Sequence, residues 1–145
     1  MTIQESVTIA RPVADVYAYL RVQANAPQWR QGVVAIEQLS GGDQLLGSVY
    51  RETSQQGDAT HTISYRVDDD VPRAKVGFEI LDGPVRPRGA MLFEADGPGA
   101  TRVTQVLDIR ATGLGALMIP MLGGMIRKMT RVSLENARRI LEQPD

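Results

Sequence analysis

The sequence contains no cysteine, one histidine, one tryptophan and only 5% aromatic residues in total. Without cysteine, the chain cannot form disulfide bonds, thiolate zinc sites or iron–sulfur clusters, and it has no thiol nucleophile. Histidine is the side chain that most readily exchanges a proton near neutral pH. His61, the only one, is therefore the first candidate for acid–base chemistry.

The chain also lacks an excess of charge of either sign. It carries 16 Lys and Arg against 17 Asp and Glu, a net charge of −1. No broad basic surface of the kind that binds phosphate backbones is expected, so nucleic acid is not a predicted partner.

No apolar run in the sequence is long enough to span a membrane. The uncharged stretch 111–126 is shorter than the roughly 18–20 residues of a spanning helix and contains Pro120, which predicts no stable membrane insertion. The first residues, MTIQESVTIARP, lack the basic start and apolar run of a secretory signal. A cytoplasmic location is expected.

The length of 145 residues predicts one domain over 1–145. A domain of this size can bury enough apolar surface to be stable without disulfide bonds or a structural metal. Alternation of Ile3, Glu5, Val7 and Ile9 with polar residues predicts a first strand. Further extended segments alternate with turn signals at 40–43, 55–58, 68–73 and 96–99. The candidate strands are 33–39, 46–53, 60–68, 75–81, 89–96 and 101–110, which gives about seven antiparallel strands joined as a meander.

Helical spacing appears in two places. Pro12 begins a short helix that breaks near Asn25–Pro27, and a second brief helical turn follows around Trp29. A long amphipathic helix is expected from roughly Leu114 to Glu142, although Pro120 favours a regular start nearer Met118. A lone long helix after a run of hairpins buries its apolar stripe by lying across the sheet, and a curved sheet then encloses a cavity.

The chain resembles the START/Bet v 1-like (SRPBCC) superfamily, particularly its bacterial polyketide cyclase/dehydrase and lipid-transport branch. The matching stretches, in order, are IARPVADVY at 9–17, APQW at 26–29, VPR at 71–73, GATRVT at 99–104 and GLGALMIPML at 113–122. The resemblance implies an α+β helix-grip fold. A curved sheet of about seven antiparallel strands, two short helices and a long C-terminal helix would enclose a hydrophobic cavity. Members bind lipids, sterols or polyketides, a minority catalyse cyclisation or dehydration, and no catalytic residue is common to the branch.

Four residues are candidates for catalysis: His61, Tyr50, Glu52 and Tyr65. His61 shares a strand face with Ile63 and Tyr65, so it is either a general base or a histidine at the sheet rim. Tyr50 and Glu52 share a face of the preceding strand and could orient or enolise a ligand carbonyl. The pattern leaves open which face of that strand points inward.

The ligand-binding candidates combine aromatic and flexible apolar side chains with His61. They are Trp29, His61, Ile63, Tyr65, Phe78, Phe93, Met118, Met121, Met125 and Met129. For Trp29 the preferred interpretation is packing of the short helices onto the sheet, and for the methionines the alternative is a core stripe that packs on Phe78 and Phe93.

No metal or cofactor is predicted. Asp68, Asp69 and Asp70 are adjacent on one segment and are interpreted as a solvated turn rather than a cation site. Arg86 and Arg88 are either solvated loop charges or a site for an acidic head group at a cavity mouth.

The residue patterns and the resemblance together leave three functions open. The favoured one is binding or carriage of a hydrophobic or amphipathic small molecule, such as a lipid, polyketide or isoprenoid-like compound. The second is a polyketide cyclase or dehydratase in which His61, Tyr50, Glu52 or Tyr65 moves protons. The third is a membrane or protein interaction module that uses the apolar run 114–126.

Overall fold

The computed structural model describes residues 1–83, 85–110 and 113–144, with the side chains of Leu114, Gly115 and Met118 outside that description. The elements are β1 (Thr2–Ile9), α1 (Val13–Leu20), a 3-10 turn (Gln23–Asn25), α2 (Ala26–Trp29), β2 (Val33–Ser40), β3 (Val49–Gln56), β4 (Ala59–Val71), β5 (Lys75–Ile80), β6 (Arg88–Ala95), β7 (Thr101–Asp108) and α3 (Leu114–Leu141).

The strands form one antiparallel sheet in the order β1-β7-β6-β5-β4-β3-β2. Strands β2 to β7 are a meander, and β1 closes the order by pairing with β7, from Thr2 opposite Asp108 to Ile9 opposite Thr101. The predicted α+β helix-grip architecture with seven curved strands is confirmed.

The predicted turn at 68–73 is wrong in its first part. Strand β4 continues to Val71, and the pairing with β5 shifts by one residue between Val67 and Asp69. Such a bulge lets the strand absorb three consecutive polar residues without ending. Each aspartate has its own partner: Asp68 pairs with Arg88 at 2.9 Å, Asp69 with Lys75 at 3.0 Å, and Asp70 accepts a bond from Tyr17. They are strand residues, not a solvated turn.

All three helices lie on one face of the sheet, here called the inner face. Tyr17 of α1 meets Phe93 of β6 edge-to-face with ring centroids 5.4 Å apart, and its hydroxyl donates to Asp70. Burial, helped by that bond, raises the pKa of Tyr17. Helix α1 therefore covers the end of the sheet where β4 stops and β5 begins.

Helix α3 runs beside β1 in the same direction. Arg127 and Arg131 both reach Glu5, at 3.4 and 3.0 Å, and Glu142 accepts a bond from the Ala10 amide at 2.9 Å. Glu5, the charged member of the predicted strand face, therefore ties the edge strand to the helix.

The two halves of α3 are buried differently. In the second half, Ser133, Leu134, Ala137 and Leu141 are buried against the core, and Ser133 accepts a bond from the Gln31 amide at 2.9 Å. In the first half, Leu117 is 78% exposed. The helix is anchored by its C-terminal half.

Helix α3 begins at Leu114, as the apolar period predicts, and contains Pro120 in its second turn, so the later regular start near Met118 that the proline favoured is not seen. The Ala116 amide donates to the Gly113 carbonyl at 3.1 Å, so the turn closes upstream of the proline. Proline removes only one helical hydrogen bond, which this exposed segment tolerates. Within the described ranges, no helix is long and apolar enough to cross a membrane.

Candidate functional site

A cluster of polar side chains lies on the inner face where β3 and β4 pair. Tyr50 and Glu52 project from β3, and Tyr65 stands directly opposite Tyr50 on β4. The two tyrosine rings stack with centroids 5.5 Å apart, and all three side chains are buried. The structure thus brings together three of the four predicted catalytic candidates.

Arg30 completes this cluster from the end of α2. Its guanidinium donates a hydrogen bond to the carboxylate of Glu52, which is only 5% exposed. A buried carboxylate is costly unless a cation or hydrogen-bond donors compensate it. Arg30 provides that compensation. The pair has no net charge but is strongly polar, and it lies on the sheet face that carries the helices.

Tyr65 is held by the 3-10 turn. Its hydroxyl donates to the Gln23 side-chain oxygen at 2.7 Å. Burial raises the pKa of Tyr65 far above the ordinary phenol value, and this effect outweighs the lowering by the nearby Arg30. The phenol therefore stays protonated at physiological pH and acts as a hydrogen-bond donor.

An open cleft of about 240 Å³ reaches Tyr50 from the protein surface. The 3-10 turn forms one wall with Gln23, and Ile36 of β2 and Leu45 of the β2–β3 loop line the other. Solvent and small molecules can therefore approach the Tyr50 ring without unfolding either element.

Beside the polar cluster the inner face is apolar. Ile63 lies opposite Glu52, Ile80 opposite Tyr65, and Phe78 and Leu107 both pair with Gly89. These four side chains, here called the apolar wall, are only half-buried although they lie on the face that carries the helices. The sheet and the first half of α3 therefore leave accessible apolar surface between them.

Glycine is required at position 89, beside Phe78 and Leu107 of the apolar wall, because there is no room for a side chain. A Cβ atom at this position would lie 2.5 Å from the Val106 carbonyl oxygen and 2.9 Å from atoms of both Phe78 and Leu107. The missing side chain lets the phenyl ring and the leucine lie over the backbone.

Helix α3 meets the β3–β4 hairpin beyond the polar cluster. The Gln56 amide nitrogen is 3.5 Å from the Met129 sulfur, so hairpin and helix touch there. His61 pairs with Ser54 on the same strand face as Ile63 and is exposed. It stands at the rim, two residues outward from the apolar wall.

Trp29 is 5% exposed and belongs to the core beneath α2. In the part of the chain that the structure describes, its Nε1 is the one fully buried side-chain nitrogen or oxygen without a hydrogen-bond partner. Buried donors are usually satisfied, so this N–H is an exception within the core beneath α2.

The remaining predicted ligand residues are dispersed. Phe93 is buried against Tyr17, Met129 is half-buried, and Met121 and Met125 are 80% and 43% exposed. Met118 lies in α3, but its side chain is outside the described residues. The methionines of α3 therefore do not form one continuous inward row.

Arg88 lies on the opposite, outer face. It borders an open depression of about 360 Å³ floored by Gly77, Ala90 and Val106. Its guanidinium pairs with Asp68, and it lies on the sheet face opposite to the apolar wall rather than at the predicted cavity mouth.

The sequence patterns missed Arg30, Gln23 and Gly89. Arg30 directly follows Trp29 in the sequence. A cation next to an aromatic residue that is expected to be buried was the one signal that could have indicated Arg30 as a site residue. Its partner Glu52 is 22 residues away, and no local periodicity connects the two.

A family model described as polyketide cyclase/dehydrase and lipid transport matches residues 1–142. The chain belongs to this polyketide cyclase/dehydrase and lipid transport family. The resemblance predicted from the residues is thereby confirmed.

Solved structures share the fold of this family member. The Zhui aromatase/cyclase from Streptomyces sp. R1128 superposes with a TM-score of 0.81 at 19% identity, covering 98% of this chain and 93% of that one. Ara h 8.0201 gives 0.79 at 14%, with 97% of each chain covered. The di-domain ARO/CYC BexL from the BE-7585A biosynthetic pathway gives 0.79 at 14%, covering all of this chain and 51% of that chain. No curated protein sequence matches.

Proposed function

We propose that this polyketide cyclase/dehydrase family protein binds an amphipathic small molecule in the groove between the inner face and α3. The observation that carries the proposal is the apolar wall, which remains accessible on the helix-bearing face directly beside a buried polar cluster. Ligand sites are typically apolar with a few placed polar groups. Ile63 opposite Glu52 marks the boundary between the two parts.

The polar cluster suggests the chemistry of the ligand's polar end. Arg30 and Glu52 neutralise each other, and the Tyr65 proton is already donated to Gln23, so the remaining N–H groups of Arg30 are donors that carry no net charge into the cluster. An uncharged oxygen, such as a ketone or phenol, fits this environment better than a carboxylate, which would compete with Glu52 for Arg30. Polyketides and isoprenoid quinones belong to this class.

A fluorescence titration with N-phenyl-1-naphthylamine, an uncharged apolar probe, tests the proposal. Ile63→Gln places an amide in the apolar wall and should weaken probe binding at least about tenfold, the scale of one buried aliphatic side chain. Leu92→Gln is the matched control, because Leu92 is 38% exposed and faces away from the helices. Equal affinities for both variants would contradict the assignment of the site.

A cyclase or dehydratase is the second candidate, supported by the contact of Tyr50, Tyr65 and Glu52 on one face. A bound polyketone carbonyl could accept the hydrogen bond that the Tyr65 hydroxyl otherwise donates to Gln23, while the Glu52 carboxylate takes the α-proton. The aromatase/cyclase names of two structural neighbours agree with this chemistry. Conversion of a polyketone substrate by the wild type, lost in Tyr65→Phe with probe affinity retained, would support it.

The single domain over 1–145 and the cytoplasmic location predicted from composition are part of this proposal. So is His61 at the rim, where it could contact an entering ligand. His61→Gln should then slow probe association in a stopped-flow measurement, whereas Leu92→Gln should associate at the wild-type rate.

A further inference from the structure

The first half of α3 exposes large apolar side chains on one side. Leu117 and Met121 are 78% and 80% exposed and Met125 is 43% exposed. Their spacing of four residues places them one above the other on the helix surface. These three residues are here called the α3 stripe, and they lie in a helical segment, 114–126, that contains no charged residue.

Cationic residues follow the α3 stripe directly. Lys128 is exposed and lies three turns after Leu117, on the same side of the helix. Arg127 and Arg131, with side chains 41% and 63% exposed, share the single carboxylate of Glu5. Three cations against one anion leave this end of the stripe positive, and the first acidic residue of α3 is Glu135.

We propose that the α3 stripe docks on the surface of an anionic lipid bilayer. An interfacial helix places its apolar side chains at the boundary of headgroups and acyl chains and its Lys and Arg among the phosphates. Leu117, Met121 and Met125 are the apolar part, and Lys128 with Arg131 is the cationic part. The helix lies on the membrane and does not cross it, in agreement with its length and apolar content.

A second copy of the chain fits this surface less well. It would offer its own apolar stripe, but residues 113–134 contain no Asp or Glu to pair with Lys128. An anionic headgroup layer satisfies both the apolar and the cationic parts at once, which is the charge complementarity that decides between the two occupants.

The position of the α3 stripe relates membrane docking to the proposed ligand binding. Met129, one turn after Met125, touches Gln56 of the β3–β4 hairpin, beside the proposed groove. Docking would therefore bring the proposed groove close to the membrane, where apolar compounds are concentrated. The docking itself does not depend on the proposed function, because it can be measured without any bound ligand.

Co-sedimentation of the purified full chain with vesicles tests the inference. We expect binding to phosphatidylcholine vesicles that contain about one-third phosphatidylglycerol, and weaker binding to phosphatidylcholine alone or at high salt. The double variant Leu117→Gln/Met121→Gln should bind at least about tenfold more weakly. Lys128→Gln should bind about fivefold more weakly.

The matched control is Leu46→Gln, because Leu46 is 55% exposed in the loop between β2 and β3 and lies outside the stripe. It should bind like the wild type, and all variants should show the wild-type melting temperature because the altered side chains are exposed. No vesicle binding by the wild type, or equal binding by the double variant, would overturn the inference. So would a dimer in light scattering that the double variant abolishes while vesicles bind nothing.

Discussion

The guanidinium of Arg30 donates a hydrogen bond to the carboxylate of Glu52 and so joins the end of α2 to the middle of β3. Removing one partner of a buried pair typically costs about 3–5 kcal/mol. The Arg30 side chain is 37% exposed, which lowers our expectation for Arg30→Met to about 1–2 kcal/mol. Urea unfolding measures this loss.

The double variant Arg30→Met/Glu52→Gln is the control for this pair. It removes the unpaired buried charge and should recover part of the lost free energy of unfolding. If Arg30→Met is as stable as the wild type, or if the double variant is simply the sum of the single variants, the two residues are not coupled.

Gly89→Ala should destabilise the protein by about 1–3 kcal/mol, the usual cost of overpacking. The new Cβ would meet the Val106 carbonyl at 2.5 Å, and backbone cannot move aside as a flexible side chain can. Gly99→Ala is the matched control, since a Cβ atom added at Gly99 would have no neighbouring atom within 4 Å. Thermal unfolding of the two variants should differ clearly, and equal melting temperatures would refute the close approach of β6 and β7.

The two halves of α3 should respond differently to truncation. Leu134→Ala removes a side chain that is 2% exposed and should cost about 2–5 kcal/mol. Leu117→Ala removes one that is 78% exposed and should change stability by less than about 0.5 kcal/mol. Hydrogen exchange should also be faster in the first half of the helix. Equal protection along α3 would argue that its first half is packed as tightly as the second.

The raised pKa of Tyr65 predicts a loss of stability at alkaline pH. In the unfolded chain the phenol ionises near pH 10, while burial keeps it protonated in the folded protein. Above that pH the folded state binds more protons than the unfolded state, so stability falls as pH rises, by at most about 1.4 kcal/mol per pH unit. Below it the contribution is complete.

Tyr65→Phe removes this titration. Its free energy of unfolding should fall less than that of the wild type between about pH 9 and about pH 11, even though it starts lower because the bond to Gln23 is lost. Parallel pH profiles would show that Tyr65 titrates normally and is not held as a neutral donor.

The fold was predictable because its signals are local. Alternation along Ile3–Ile9, turn residues between the strands and the apolar period of α3 each act within a few residues. The strand ends depend on more distant contacts. Three consecutive aspartates, Asp68–Asp70, are typical of a turn, but a bulge and three separate partners from other elements keep them in β4.

The site was predictable only in part. Periodicity placed Tyr50 with Glu52 and His61 with Tyr65, but it could not say which face of β3 carries the helices. Register with β4 decides this, because Tyr50 stands opposite Tyr65. Arg30 was not predictable, since its contact with Glu52 depends on where α2 lies over the sheet. The exposure of Met121 and Met125 was missed because an apolar period does not show which apolar residues find a partner.

The most direct test of the proposed groove is methyl NMR of the full chain titrated with N-phenyl-1-naphthylamine. Saturable shifts at the methyl groups of Ile63, Ile80 and Leu107, with Leu92 and Leu46 unchanged, are the result that we predict. Shifts confined to Leu92 or Leu46, or no saturable shift at any of the three apolar-wall residues, would contradict a binding groove between the inner face and α3.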